Sequence, residues 1–230
     1  MTLTEINNYI QSIPQSEIDT QIAYWKTISP TTDEEYYRRF VFALLSVHVG
    51  WRANIKSYIR VTSEPEIKNQ AHLKDIIKVS GVGLIENRTK GIWDLKEKFF
   101  ANPAEYKKMD EESWIMFRDR LMKQIYGLGF AKTAFALELC YPNEALVTCV
   151  DVHQLRMYEC DTKKSPSTTV YRKIEDHWVD SCKARNIPPF IARNIYWNSV
   201  QEQKDCRYWT YVFEPKINDI SSSADQIKIS

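Results

Sequence analysis

Lys132 and Asp151 stand nineteen residues apart, each in surroundings that could make it reactive. Lys132 follows the run IYGLGFA at 125–131, in which Gly127 and Gly129 separate two helical patterns. A lysine in the first turn of a helix meets the positive end of the helix dipole, a field that favours the neutral amine a nucleophile requires. The plain alternatives are a solvated lysine or a phosphate contact. Asp151 ends the apolar run ALVTCV at 145–150 and opens another helical pattern. A carboxylate there can accept a proton or stabilise positive charge developing on a substrate. It can equally be a cap, because Gln154 three residues on completes a capping box. The glycines have their own chemistry. Small residues between two helices let a phosphate approach the first amides of the second, at Gly127, Gly129, Phe130 and Ala131. Such contacts position a nucleic-acid backbone without reading its sequence. A Gly-x-Gly also ends many ordinary helices.

The elements that must hold these residues are helical nearly throughout. The pattern predicts a helix capped by Thr4 and running to Ile13, and one over 17–28 opened by Ser16. Thr32 and Glu35 form a capping box before a helix over 33–49, whose run FVFALLSVHV at 40–49 implies burial on most sides. Gly50 ends it. Helices follow over 51–61, 72–79, 84–100, 111–126 and 130–140. The stretch 145–150 is the one β candidate. Helices from 152, over 170–183 and over 190–206 close the chain, and the residues after Glu214 read as a polar tail.

Composition bounds the rest. The 230 residues are 43% hydrophobic and 27% charged, a globular balance that excludes wholesale disorder. Six Gly and nine Pro are too few for a turn-rich sandwich or barrel. The formal net charge is +1, so charge alone does not announce a nucleic-acid binder. Residues 52–132 nevertheless carry sixteen Lys or Arg against eleven Asp or Glu, a local basic surplus. The five cysteines are odd in number and contain no CxxC pair. They read as buried reduced thiols, with no zinc ribbon or iron–sulfur loop. No apolar run approaches a membrane span, and MTLTEINNYIQSI carries no signal-peptide pattern, so the expectation is a soluble, cytoplasmic protein.

The glycine hairpin followed by VDVH at 150–153 resembles the helix-hairpin-helix superfamily of DNA glycosylases, which includes endonuclease III and 8-oxoguanine glycosylase. LLSVH at 44–48 looks like that family's LLSAQ-type helix end, and GLIENRTK at 83–90 like its G-(hydrophobic)-Y-N-x-K-A segment. The likeness covers 36–158. It implies an all-α, two-lobed helix-hairpin-helix glycosylase fold with the active-site cleft between the lobes. A helical barrel domain would span 31–142, with the hairpin at 117–140. A second helical domain would join 1–30 to 143–213, and 214–230 would be a flexible tail.

The same resemblance makes Asp151 the catalytic carboxylate. The family's Schiff-base lysine position falls on Ala131, and Lys132 sits one residue further along, about 100° around the helix. Whether Lys132 points into the site therefore depends on the length of the turn. His48 matches a position that helps fill the gap left by a flipped nucleotide, although it can equally be a simple helix-end histidine. Asn87, Arg88 and Lys90 read as barrel-surface residues within reach of phosphate. Trp51, Trp93, Trp114 and Tyr126 are aromatic enough to stack on a base, but such residues more often fill a core. His153 supports the loop. The implied partner is double-stranded DNA containing a modified base, bound by a monomer with no cofactor or metal, in the nucleoid or a phage-infected cell. The implied reaction is excision of that base, with or without an associated strand-cleaving lyase step. The C-terminal residues Trp178, Pro188, Pro189, Phe190, Arg193, Asn194, Tyr196 and Trp197 instead resemble divergent phage-borne relatives linked to hypermodified bases. The alternative reaction is therefore transfer of a group onto an activated 5-substituted thymine or pyrimidine, with the glycosidic bond intact.

Overall fold

Thr32 accepts the Glu35 amide while Glu35 returns to the Thr32 amide, and this reciprocal cap starts the helix that organises the molecule, α3 (Asp33–Leu45). Every residue from Phe40 to Leu45 on it is buried. Each such aromatic or aliphatic side chain removed from water contributes roughly 1.5–3 kcal/mol before entropy is charged against it. The structure is a computed structural model that describes residues 1–214. Before α3 come α1 (Leu3–Ser12) and α2 (Gln15–Thr27); after it, α4 (Trp51–Thr62), α5 (Gln70–Val79), α6 (Ile85–Ala101), α7 (Trp114–Gln124) and α8 (Phe130–Cys140). The chain closes with α9 (Val152–Met157), α10 (Thr168–Ala184), α11 (Pro189–Val200) and α12 (Arg207–Thr210). Among the described residues there is no strand: 145–150 is extended but pairs with no other segment. The tail expected over 214–230 lies, beyond Glu214, outside the described residues.

Several boundaries differ from the expected ones, each for a local reason. Thr2, not Thr4, caps α1, because only Thr2 has a glutamate, Glu5, three residues on. Helix α2 starts directly after Pro14, without help from Ser16. Helix α3 stops at Leu45, not at 49. The Ser46 hydroxyl donates to Ala43 O (2.7 Å), the chain turns through 46–48, and His48 adopts φ 53°. Gly50 caps the next helix, not the end of this one. Ser113 caps α7 three residues later than expected. Helix α11 ends at Val200, and the chain reverses before α12 carries Trp209 back into the core.

Helix α3 packs against α4, α6 and α8, while α5 lies on α6 and α7 on α8. A second set, α1, α2, α10 and α11, packs among itself. One continuous hydrophobic core nevertheless runs through both sets. At the seam, the Trp209 ring stacks on Phe42 of α3 (5.9 Å) and lies 5.7 Å from Trp25 of α2, which meets Phe190 of α11 edge-on at 4.6 Å. Arg39 of α3, buried, donates to the Ile28 carbonyl at the end of α2.

Candidate active site

The hairpin between α7 and α8 is built by three glycines with different tasks. Gly127 sits at φ 92°, a left-handed conformation that side chains resist. Gly91 of α6 lies beneath the turn: a Cβ there would come within 2.6 Å of Tyr126 O and 3.3 Å of a Leu44 methyl. Gly129 caps α8 with an ordinary φ of −96°, and a Cβ on it would meet open space. Gly129 therefore relieves no strain, and what its missing side chain leaves is an unobstructed approach. No side chain among the described residues caps α8, so its first N–H groups remain for an outside acceptor. The Phe130 and Ala131 side chains turn away from that approach into the protein, Phe130 onto Tyr171 at 5.5 Å.

A cavity of about 330 Å³ opens beside the hairpin and lies between the two sets of helices. Lys132 and Asp151 both line it. Lys132 is half-buried, with its Nζ 5.3 Å from the centre of the Phe135 ring, and no carboxylate pairs with it among the described residues. Phe42, Trp51, Phe135, Trp197 and Trp209 form the aromatic walls. Ser46, Asn54, Asn194 and Gln201 add polar edges. Tyr208 braces two of the walls from outside, stacked on Trp197 (5.8 Å, 10°) and edge-on to Trp51 (4.9 Å).

Asp151 is the N-cap of α9. Its Oδ1 accepts the amides of His153 (2.8 Å) and Gln154 (3.0 Å). The reciprocal half of the expected capping box is not made, because the Gln154 side chain turns inward to the Thr148 hydroxyl (3.3 Å). The other oxygen, Oδ2, receives Nη1 of Arg193 at 3.3 Å. Arg193 in turn grips Glu138 of α8 with two N–H groups, at 2.9 and 2.5 Å.

The segment that delivers Asp151 is held by side chains. Cys149 N donates to Glu138 (3.0 Å), Thr148 N to Glu175 of α10 (3.2 Å) and Val150 N to the Tyr171 hydroxyl (3.4 Å). Glu175 is paired with the buried Arg118 of α7. Burial pushes the Glu138 and Glu175 carboxyls up, against the opposing pull of their arginines and of the amides they accept. Burial likewise opposes the charge on Arg193, but Glu138, Cys149 and Asp151 outweigh it and raise its pKa. The Cys149 thiol, also at the cavity, is pushed up to about 12 by burial and is no nucleophile at neutral pH.

The remaining predicted residues scatter. Arg88 is not a surface cation: it is 3% exposed, and its Nη2 donates to the Val47 carbonyl, pinning the turn after α3. Arginine reads as surface in a sequence, yet here its planar fork serves a backbone carbonyl. Lys90 is exposed, bonded to Asp94 (2.6 Å) and 5.1 Å from the Tyr126 ring centre at the hairpin. His48 is exposed in its left-handed turn and does not line the cavity. Of the candidate stacking aromatics, Trp51 lines the cavity, Trp93 and Trp114 pack on the core, and Tyr126 is exposed on the hairpin. Glu138, Arg193 and the walls Trp197 and Trp209 were not singled out as site residues from the sequence. A glutamate within the apolar run FALELC at 135–140 is the one signal that could have marked Glu138.

No protein-family model matches the sequence, and no curated protein matches it. Solved structures do match. The 8-oxoguanine DNA glycosylase of Thermotoga maritima superposes with a TM-score of 0.72 at 14% identity, over 89% of this chain and 100% of that one. The 8-oxoguanine DNA glycosylase of Methanocaldococcus jannaschii gives 0.70 at 18%, over 87% and 94%. The Methanocaldococcus jannaschii 8-oxoguanine glycosylase/lyase in complex with a 15mer DNA containing 8-oxoguanine gives 0.68 at 19%, over 87% and 97%. The chain has the fold of these proteins, an all-helical helix-hairpin-helix fold.

Proposed function

We propose that this protein is a DNA glycosylase that draws a modified base out of duplex DNA and cleaves its glycosidic bond. The observation that carries the reading is the meeting of Lys132 and Asp151 in one aromatic-walled cavity, next to a helix N-terminus open to phosphate. The cavity is at the small end of ligand pockets, which run from roughly 300 to 1,000 Å³. Its Trp and Phe faces suit a flat heterocycle. The hairpin amides hold the backbone, and Asp151 supplies negative charge where the sugar becomes positive as the base departs.

Lys132 adds a lyase step to the reading. Its amine attacks C1′, the base leaves with the bonding electrons and gains a proton, and the opened sugar is left as an imine on Nζ. Loss of a C2′ proton then expels the 3′-phosphate. Duplexes each carrying one modified base, 8-oxoguanine among them, test the proposal by mass spectrometry of the products. The expected product is free base, lost in Asp151→Asn with DNA affinity kept within a few-fold. An enlarged nucleoside with its glycosidic bond intact would assign the chain to base-modifying transfer instead.

A further inference from the structure

Asp151 is held from two sides by groups of different kinds. The backbone of its own helix takes Oδ1, as any N-cap would. Oδ2 is taken by Arg193, whose side chain is buried and whose other nitrogens are occupied by Glu138, itself 0% exposed. The same Glu138 oxygen that receives Arg193 Nε accepts the Cys149 amide, two residues before Asp151. Glu138 therefore touches both the segment that carries Asp151 and the arginine that holds its free oxygen. It also shares α8 with Lys132. One carboxylate thus links the placement of the helix bearing the amine to the placement of the reacting acid.

We propose that the buried Glu138–Arg193 pair is the positioning unit of the active site, fixing Asp151 in place without consuming its charge. The second half of that statement follows from charge balance. Arg193 alone would cancel Asp151; Glu138 cancels Arg193 and leaves the trio with one net negative charge facing the cavity. A planar guanidinium can bridge two carboxylates in this way, whereas an ammonium cannot hold the same fork. The proposal rests on the reading of Asp151 as the reacting carboxylate. The charged and titratable groups around Asp151 are Lys132 and Cys149 at the cavity, His153 on its own helix, Arg193 and Tyr196 on α11, and Glu138 behind Arg193.

The test uses the full chain and a duplex with one abasic site, whose aldehyde needs no base recognition and whose condensation with Lys132 gives a cationic iminium for Asp151 to stabilise. Imine formation is trapped with borohydride across pH in wild type, Glu138→Gln, Arg193→Gln and the double variant. Single changes strand a buried charge, so the double variant, which removes both, guards against simple unfolding. The double variant should melt cooperatively and bind the duplex within a few-fold of wild type, while its trapping rate at saturating DNA falls at least tenfold. The acidic limb of the rate profile should move to higher pH in Arg193→Gln, to lower pH in Glu138→Gln, and back toward wild type in the double variant. Folded variants with wild-type rates and an unmoved limb would make the pair purely structural and overturn the proposal. A crystal structure of the double variant decides the matter without activity. Displacement of the Asp151 carboxylate supports the proposal, and an unmoved Asp151 held by the His153 and Gln154 amides alone overturns it. Should wild type give no adduct here and no free base from the modified-base duplexes, while Asp151 is displaced in the variant, the glycosylase reading fails and the positioning stands.

Discussion

Lys132 separates the two ways this cavity can work. With the amine as nucleophile, borohydride leaves a covalent protein–DNA adduct, and both adduct and strand nicking vanish in Lys132→Ala. With water as nucleophile, no adduct forms, base release survives the substitution, and the strand stays intact until alkali is added. An adduct mapping to another lysine refutes the assignment of Lys132. The hairpin glycines divide as sharply. Gly129→Val places a side chain in open space, so stability should hold while affinity for all duplexes falls alike, measured by titration and melting. Gly127→Val should instead lower stability by roughly 1–2 kcal/mol, because only its φ is left-handed. The motif around Asp151 was legible because it is local: an apolar run, an acid, a helix start. Glu138 and Arg193 were not, because they lie 13 and 42 residues away along the chain and only the fold brings Arg193 to Asp151 and Glu138 to Arg193. Arg88 was misread for the same reason, since nothing in its neighbourhood announces the Val47 carbonyl it serves.

Elements were legible where their ends are written in the chain beside them. Helix α8 starts and stops at the residues expected, between Gly129 and Tyr141. Helix α3 did not end as expected, because the apolar run continues past the point where the Ser46 hydroxyl takes the helix carbonyl. No periodicity marks Gly91 as the floor of the hairpin; that role exists only because α6 passes under the turn. Gly91→Ala should therefore destabilise by about 1–3 kcal/mol, a cost of overpacking read as a shift in the denaturation midpoint. The loop before α7 offers a pH test. Arg120 donates to Glu112 through Nε and Nη2, each at 2.8 Å, and to the Glu105 and Lys107 carbonyls. Its hydrogen bonds hold the Glu112 carboxyl below the usual glutamate value. A depressed carboxyl contributes stability that is complete above the ordinary glutamate pKa and is lost as pH falls through the folded value. In Arg120→Gln that increment should be missing at neutral pH, and the gap from wild type should close as the solution is acidified.

At the scale of the whole molecule, the all-helical class was legible from few glycines and prolines and from sustained 3.6-residue patterning. The seam was not, because Trp25, Phe42, Phe190 and Trp209 come from four separate helices. On the proposed function, binding to DNA should weaken with salt, and the log–log slope should shrink in Lys90→Ala; an unchanged slope removes Lys90 from the interface. The core that runs unbroken through both sets of helices has a mechanical meaning. The cavity walls cannot swing apart as two rigid halves without tearing Trp209 from Phe42 and Trp25. On the proposed function the protein is a stiff receptor, and the bending and unstacking that would bring a nucleotide to Lys132 and Asp151 fall to the double helix. Local duplex weakness becomes a discriminator in its own right: the same lesion should be processed faster opposite a mismatch or beside a pliant pyrimidine–purine step than within a rigid A-tract.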